Sequence, residues 1–485
     1  MRCVALAQAW VDDGGRAQVI LGPGRSPAED TLSEENLGIR HLEADPGSPD
    51  DAGETARIAR GMGAEWLVLD GYHFDGEYQH LVKEAGLSLL LFDDLGGEGP
   101  FHADIVLNPN LYAGPSLYPG MKPPARLLAG PDYIPLRREF LPFRGRQPAF
   151  PATAGRVLIT LGGADPGNLT SELIAAASKS GAEGTELVVV AGANNPHYPA
   201  LEATAASDRR IRLVRDTRRM AELMASADAA ITGGGVTCFE LSLMGVPFAV
   251  VVLSENQGPV AESFASGGAA VNLGGREEAS SAEGRARIRE LLSSAGLRRR
   301  LSERGQALVD GEGAGRLVMV LRGEPLRLRR AREGDMKMLW EWANDPGVRS
   351  QAFSREQIPW EEHVAWFRKK HADPGCAQYI ALDVKDHPVG QIRFDVTGGS
   401  AEVDVSIDRA ARNRGLGTAL IRAGVRRAVM DLRPDRIFAR VKAGNASSIR
   451  SFTKAGFAVD GGEEVRGSRA VRLKWKGKTG GGGQG

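Results

Sequence analysis

The chain is poor in cysteine. Its three cysteines, Cys3, Cys238 and Cys376, are too few and too scattered for a disulfide framework or a zinc site, which points to a reducing cytoplasm. Long apolar runs are missing too: nothing approaches the ~18 consecutive apolar residues of a membrane helix, so no membrane partner is expected. The apolar start from Met1 to Val11 lacks a separate basic region and falls short of the usual ~15–30 residues of a secretory signal. Net charge is absent, with Lys+Arg and Asp+Glu both at 61. The 62 glycines come with only 26 prolines and no Gly-X-Y period, which excludes collagen. A content of 42% hydrophobic and 25% charged residues is that of an ordinary globular protein. At roughly 100–200 residues per domain, 485 residues predict about three domains.

Apolar runs of four to six residues alternate with helical patterns over the first 320 residues. Trp66–Asp70, Leu87–Asp93, Asp104–Asn108 and Arg126–Gly130 read as buried strands. A Pro-rich joint from Pro142 to Pro151 precedes a second series: Arg156–Leu161, Glu186–Ala191, Arg212–Val214, Ala229–Ile231, Phe248–Leu253 and Ala269–Leu273. Continuous apolar strands separated by helices predict parallel sheets covered on both faces. The fold class is therefore α/β, with two Rossmann-like lobes (1–141 and 152–322) and a cleft between them. A third block, 325–476, is richer in aromatics and cations. Its segment Ala401–Ile407 alternates Val403, Val405 and Ile407 with Glu402, Asp404 and Ser406, which predicts a sheet with one polar face in an α+β domain. Residues 477–485 read as a flexible glycine-rich tail. The charge also divides: residues 323–485 carry net +10 and the first 322 carry net −10, so zero is a cancellation between modules.

The strongest chemical signal lies in the third block. Arg412-Asn-Arg414-Gly415-Leu-Gly417-Thr418 follows the alternating strand and opens an apolar helix. Glycines that admit close approach, loop N–H groups, a helix N-terminus and two arginines make an anion seat. Asn445 and then Gly456-Phe457 follow one strand later. Arg-x-x-Gly-x-Gly after a strand, with Asn…Gly-Phe about 30 residues on, resembles the GNAT acetyltransferases from about Leu326 to Trp475. The resemblance implies acetyl-coenzyme A as cosubstrate, with Arg412, Arg414, Gly415, Gly417 and Thr418 at its pyrophosphate. It implies backbone contacts from Val405 and Ile407 to the pantetheine and thioester, and a contact from Asn445 to the pantetheine arm. Many family members carry a tyrosine that protonates the leaving thiolate, where this chain has Phe452. A neutral amine nucleophile needs a proton acceptor, for which a carboxylate (Glu402 or Asp404), His363 or a bridging water are the candidates. Ala331–Asp335, Leu339–Pro346 and His363–Phe367 resemble GNATs that acetylate nucleotide-linked amino sugars. The same layout occurs in ribosomal-protein N-terminal acetyltransferases, so this block alone leaves sugar and peptide acceptors open. The aromatic stripe Trp340, Trp342 and Trp366 reads as core.

Three loops stand out in the second lobe: Leu161–Thr170 with Gly162 and Gly163, Thr232–Leu241 with Gly234, Gly235, Thr237 and Glu240, and Leu253–Gln257 with Asn256. Each follows a strand, so all three gather at one edge of a parallel sheet, where ligands bind. A triple glycine opening a helix suits a diphosphate. Together with Asp70-Gly-Tyr72, Phe92–Leu95, Leu107–Asn110, Asp132-Tyr133 and Arg137–Phe140, these loops resemble the GT-B-like UDP-sugar hydrolases of pseudaminic acid biosynthesis. The family acts on UDP-2,4-diacetamido-2,4,6-trideoxy-β-L-altropyranose. The resemblance implies metal-free attack of water with inversion at the sugar C1. It implies Glu240 on the ribose, Gly234, Gly235 and Thr237 on the diphosphate, and Tyr72, Asn256 and Gln257 on the sugar side, Tyr72 and Asn256 taking part in catalysis.

In that family a strand and a Gly-x-Gly-His loop precede a helix, and the His is the catalytic base. Met1-Arg2-Cys3 matches the end of that motif, so the first strand and the His are expected upstream of Met1; the alternative is a lobe that binds a UDP-sugar without hydrolysing it. N-acetylation of a UDP-4-amino sugar comes just before UDP removal in the pathway. The two halves therefore predict acetyl transfer to a UDP-4-amino-4,6-dideoxy sugar and then release of UDP. The competing reading is a GT-B glycosyltransferase fused to a peptide N-terminal acetyltransferase. A nucleic-acid partner is not expected, because the basic residues are spread and lack a reader motif.

Overall fold

The computed structural model describes residues 1–24, 26, 28–163, 165–181, 183–192 and 194–477. Gly477 apart, the expected glycine-rich tail lies outside the described residues. The chain forms two compact units, one of Met1–Val11 with Arg16–Leu317, the other of Asp12–Gly15 with the chain from Val318 onward.

The first unit holds two Rossmann-like lobes. In the first lobe the helix Arg2–Asp12 precedes β1 (Gln18–Leu21) and β2 (Gly38–His41), a parallel pair. β3 (Trp66–Asp70), β4 (Ser88–Phe92), β5 (Ile105–Asn108) and β6 (Arg126–Ala129) form a separate parallel sheet in the order β3-β4-β5-β6. The second piece is buried most deeply at Leu89, Leu90, Val106 and Leu107, the apolar runs that predicted it. β1 and β2 are new. They are short and only half-buried, with Gly38, Arg40 and His41 exposed, so they lack the apolar continuity that marks a central strand.

The second lobe carries β7 (Arg156–Thr160), β8 (Glu186–Ala191), β9 (Ile211–Arg215), β10 (Ala229–Gly233), β11 (Phe248–Val251) and β12 (Ala270–Asn272). All pairings are parallel, in the order β12-β11-β10-β7-β8-β9. The order reverses between β7 and β10. That reversal is the switch point at which the loops leaving neighbouring strands diverge and open a crevice. Val157, Leu158, Ile159, Ala230 and Ile231 are fully buried beneath it.

The second unit is built on one mixed sheet. Its strands are β13 (Arg327–Arg330), β14 (Cys376–Leu382), β15 (Pro388–Thr397), β16 (Ser400–Ile407), β17 (Arg436–Lys442), β18 (Phe457–Val465) and β19 (Ser468–Trp475), in the order β13-β14-β15-β16-β17-β19-β18. Every pairing is antiparallel except β16 with β17. The helix Leu416–Leu432 buries Leu420, Ile421, Val425 and Ala428 in the same core cluster as Ile392 and Phe394 of β15. Its approach depends on Gly424, because a Cβ there would lie 2.6 Å from the Cδ1 of Ile392. The alternation in β16 is as expected: Ala401 and Val403 are buried in the core while Asp404 is exposed.

Candidate functional site

At the switch point, the loops after β7, β10 and β11 stand side by side. The β10 loop runs into the helix Val236–Leu243, whose cap is Gly235 with no side chain on the first-turn N–H groups. The leading amides of a helix have no intrahelical acceptor, so those of Val236 and Thr237 are available to one from outside the helix. Gly234 has a different task. Its N–H donates to the Oε1 of Gln257 at 3.0 Å, and the Leu253 N–H donates to the same oxygen at 3.1 Å. A Cβ on Gly234 would lie 2.9 Å from the Cβ of Gln257. Gln257 therefore staples the β10 and β11 loops together. Gly162 and Gly163 are exposed on the neighbouring loop, whereas Asp165 is buried and accepts from the N–H groups of Leu169 and Thr170, both at 2.9 Å.

The first lobe presents the carboxyl ends of β3, β4 and β5. Arg2 donates to Asp70 and to Asp94, each at 2.6 Å, and its guanidinium stacks 4.8 Å over the Phe92 ring. Asp94 also accepts from Asn110 Nδ2 at 2.8 Å. Tyr72, 65% exposed, accepts from Asn256 Nδ2 at 2.8 Å and has Asp94 Oδ2 at 3.5 Å. Tyr72 and Asn256 are 184 positions apart, and the fold brings them together at the cleft between the lobes. Glu240 lies deeper, 5% exposed, with Arg137 Nη2 at 3.3 Å. Burial pushes its carboxyl above the ordinary range, and Arg137 opposes that shift.

In the second unit the decisive feature is the parting of β16 from β17. They pair only over Ser400–Glu402 with Arg436–Phe438. Beyond that the strands splay. The Asp408 N–H bonds the Val389 carbonyl, and Ile407 and Val405 stand opposite Gly390 and Ile392 of β15. The alternation of an antiparallel ladder then turns the N–H and C=O of Val405 and Ile407 away from β15, into the opening. The helix Leu416–Leu432 begins beside it with Gly415, at φ +77°, as a cap without a side-chain hydrogen bond. Arg414 is exposed. Asn445 caps the helix Ala446–Lys454 through Ser448 N at 3.1 Å. The Ile407 carbonyl is taken by Arg412 Nε at 3.1 Å; the extended backbone of Val405 and the Ile407 N–H, next to a helix N-terminus, can hold an amide-bearing arm by strand-like pairing and a phosphate by N–H donation.

Residues 325–458 match the acetyltransferase (GNAT) domain family. Over 257 residues the chain is 30% identical to the spore coat polysaccharide biosynthesis protein SpsG of Bacillus subtilis (strain 168), a match spanning 53% of this chain and 75% of that protein. The chain belongs to the SpsG family. It is also 29% identical over 209 residues to the UDP-2,4-diacetamido-2,4,6-trideoxy-beta-L-altropyranose hydrolase of Campylobacter jejuni, spanning 42% of this chain and 72% of that protein. The L-amino acid N-acetyltransferase AaaT of Escherichia coli (strain K12) is 29% identical over 110 residues, 22% of this chain and 67% of that protein. This SpsG-family member is thus a fusion: a module related to a UDP-sugar hydrolase, followed by a GNAT acetyltransferase domain.

Several side chains of the SpsG-family protein have partners that its sequence did not announce. Arg412 is not free for a phosphate: its Nη2 donates to Asp345 at 2.6 Å and its Nε to the Ile407 carbonyl at 3.1 Å. His363 is no proton acceptor at the opening. It is 2% exposed, its Nε2 lies 3.0 Å from the Met336 carbonyl, and it packs among Trp360, Trp366 and Phe367. Burial lowers its pKa, so it stays neutral as a core residue. Glu402 is held by both arms of Arg440, one at 2.7 Å, within the paired stretch of β16 rather than in the splayed one. That engagement ties its side chain to Arg440 of β17. Asp404 is half-exposed with Arg393 at 3.2 Å. Phe452 is 1% exposed and packs edge-on against Phe457 at 5.0 Å. Arg2, Asp94, Arg137 and Asp345 are the site residues that sequence reading did not single out for a role. All four lie in segments that carry the family resemblances, but no residue-level signal marked their partners. Among the described residues no group of three His, Cys, Asp or Glu side chains is placed to hold a metal ion, and no helix is long and apolar enough to cross a membrane.

Proposed function

We propose that the C-terminal domain transfers an acetyl group from acetyl-coenzyme A to the 4-amine of a UDP-linked 4-amino-4,6-dideoxy sugar. The two N-terminal lobes then cleave the resulting diacetamido sugar from UDP with inversion at C1. The observation that carries this reading is the fusion itself. One chain joins a relative of a UDP-diacetamido-sugar hydrolase to a GNAT domain, and the N-acetyl groups that one module's substrate requires are what the other module's chemistry installs.

The splayed backbone of Val405 and the N–H of Ile407 receive the pantetheine arm, with Asn445 beside it. The amides after Gly415, with Gly417, Thr418 and the exposed Arg414, receive the pyrophosphate. The excess cations of this domain draw in two anionic substrates, coenzyme A and the UDP-sugar. In the lobes, the amides of Val236 and Thr237 take the diphosphate of UDP, and Gly235 lets it approach. Tyr72 and Asn256 flank the sugar. Glu240 reaches the ribose only if Arg137 yields part of its hold.

A second reading, a lobe pair that binds the UDP-sugar without hydrolysing it, is favoured by one observation. Asp94, 3.5 Å from the Tyr72 hydroxyl, and Asp70 at the end of β3 are both ion-paired to Arg2, so neither carboxylate stands unengaged beside Tyr72. Incubation of the full chain with acetyl-coenzyme A and the UDP-4-amino sugar, followed by mass spectrometry, separates the readings. Gain of one acetyl with release of UDP supports the bifunctional enzyme. Gain of acetyl with UDP retained supports the binding module. No gain of acetyl refutes the sugar acceptor.

A further inference from the structure

The helix Pro346–Gln351 is tied at both ends to the strands that part. Asp345 caps it, accepting from Val348 N at 3.2 Å, and the same carboxylate oxygen takes Arg412 Nη2 at 2.6 Å. Arg412 in turn holds the last carbonyl of β16, Ile407, through Nε. The guanidinium is seated close against the helix: a Cβ on Gly347 would lie 2.6 Å from its Nη1. At the other end Lys442, the last residue of β17, donates from Nζ to the Ser350 carbonyl at 3.3 Å. One end of the helix is thus fastened to the end of β16 and the other to the end of β17. The loop that follows is fixed as well. Arg349 Nη1 reaches the carbonyls of Ser354 and Glu356, both at 3.3 Å, and Asn344 exchanges two hydrogen bonds with the Ile358 backbone.

From this geometry we propose that Arg412 and Asp345 are a positioning pair that holds the Pro346–Gln351 helix across the β16–β17 opening as its acceptor-side wall, leaving Arg414 as the arginine that meets the coenzyme's phosphates. The inference rests on the acetyltransferase reading above and deepens it. An acetyl acceptor must approach the thioester from the side that coenzyme A does not fill. The element strapped over the strand ends decides how wide that approach is. Arg412 opens the glycine loop that leads into the helix Leu416–Leu432, so it couples the cofactor loop to the acceptor wall. A guanidinium held by a carboxylate and a carbonyl in fixed, charge-assisted geometry suits an anchor; Arg414, exposed on the same loop, suits a mobile phosphate.

The test uses the full chain and the variants D345N, R412Q and R414Q. Asparagine keeps the capping acceptor while removing the charge that pairs with Arg412. Acetyl-coenzyme A affinity is measured by calorimetry and acetyl transfer by steady-state kinetics on the UDP-4-amino sugar. D345N and R412Q are each expected to lower kcat/KM for the sugar about tenfold, mostly through KM, with acetyl-coenzyme A affinity unchanged within about twofold. R414Q is expected to do the reverse. The D345N/R412Q double variant should be no worse than the worse single, as for two residues acting as one unit. Loss of acetyl-coenzyme A affinity in R412Q equal to that in R414Q, with D345N kinetically silent, overturns the proposal. If the wild type does not acetylate the sugar at all, the functional reading fails, and the pair is then read by hydrogen exchange. Faster exchange of the Val348–Gln351 amides in both D345N and R412Q upholds it, and unchanged exchange overturns it.

Discussion

Replacing Arg137 with alanine tests whether the Arg137–Glu240 contact is a structural tie. Both side chains are largely withdrawn from solvent, at 15% and 6% exposure, with 3.3 Å between them, and Arg137 also reaches Glu139 at 3.0 Å. Breaking a buried pair from one side leaves an uncompensated charge, which costs about 3–5 kcal/mol. At roughly 2–4 °C per kcal/mol for domains of 150–250 residues, the first unit should melt on the order of 10 °C lower. The loss is pH-dependent with a definite sign. Burial already raises the Glu240 carboxyl, and removing Arg137 raises it further. A carboxyl whose pKa is raised on folding binds its proton more tightly in the folded state, so stability is lost as pH climbs from the unfolded value of about 4.3 through the folded one. R137A should therefore be damaged less at pH 5 than at pH 8, and R137A/E240Q should recover much of the loss, because the neutral amide needs no counter-charge. Differential scanning calorimetry at both pH values is the assay. An R137A melting point that is the same at pH 5 and pH 8, or a double variant that melts below R137A, would refute the reasoning.

Other outcomes follow from the remaining contacts. Gly424→Val pushes a branched side chain toward Ile392 and should destabilise the acetyltransferase domain by about 1–3 kcal/mol, read by chemical denaturation of that unit. His363 has its pKa lowered by burial, so the unfolded state binds the extra proton and stability falls as pH drops below about 6.5; in H363Q this acid sensitivity of the domain's melting point should shrink. Glu402→Gln should leave the pH–rate profile of acetyl transfer unchanged, because the carboxylate is committed to Arg440. Tyr72→Phe removes two exposed hydrogen bonds, to Asn256 and Asp94, each worth about 1 kcal/mol or less, so the melting point should change little while UDP release slows measurably.

The second lobe was legible from sequence because its central strands are buried on both faces. Val157–Ile159 and Ala229–Ile231 must be apolar on both faces, and such runs announce themselves. The glycine loops were legible because a strand that ends in glycines and runs into a helix has a recognisable local pattern. β1 and β2 were not legible, since a half-exposed four-residue strand with Arg40 and His41 on it has no period to detect. The partners of Arg412, His363 and Glu402 were not legible for a common physical cause. Residue type announces a capacity, whereas role depends on a partner that lies far along the chain: Asp345 is 67 positions from Arg412, Met336 is 27 from His363, and Arg440 is 38 from Glu402. For Phe452 the structure shows burial and edge-on packing against Phe457.

The central claim is that one chain acetylates a UDP-amino sugar and then releases UDP from the product. The most direct measurement is the rate of UDP release from the UDP-4-amino sugar by the full chain, with and without acetyl-coenzyme A. The account predicts UDP release only when acetyl-coenzyme A is present, after a lag in which the acetylated UDP-sugar accumulates. UDP release at the same rate without acetyl-coenzyme A, or no acetylated UDP-sugar at any time, would contradict it.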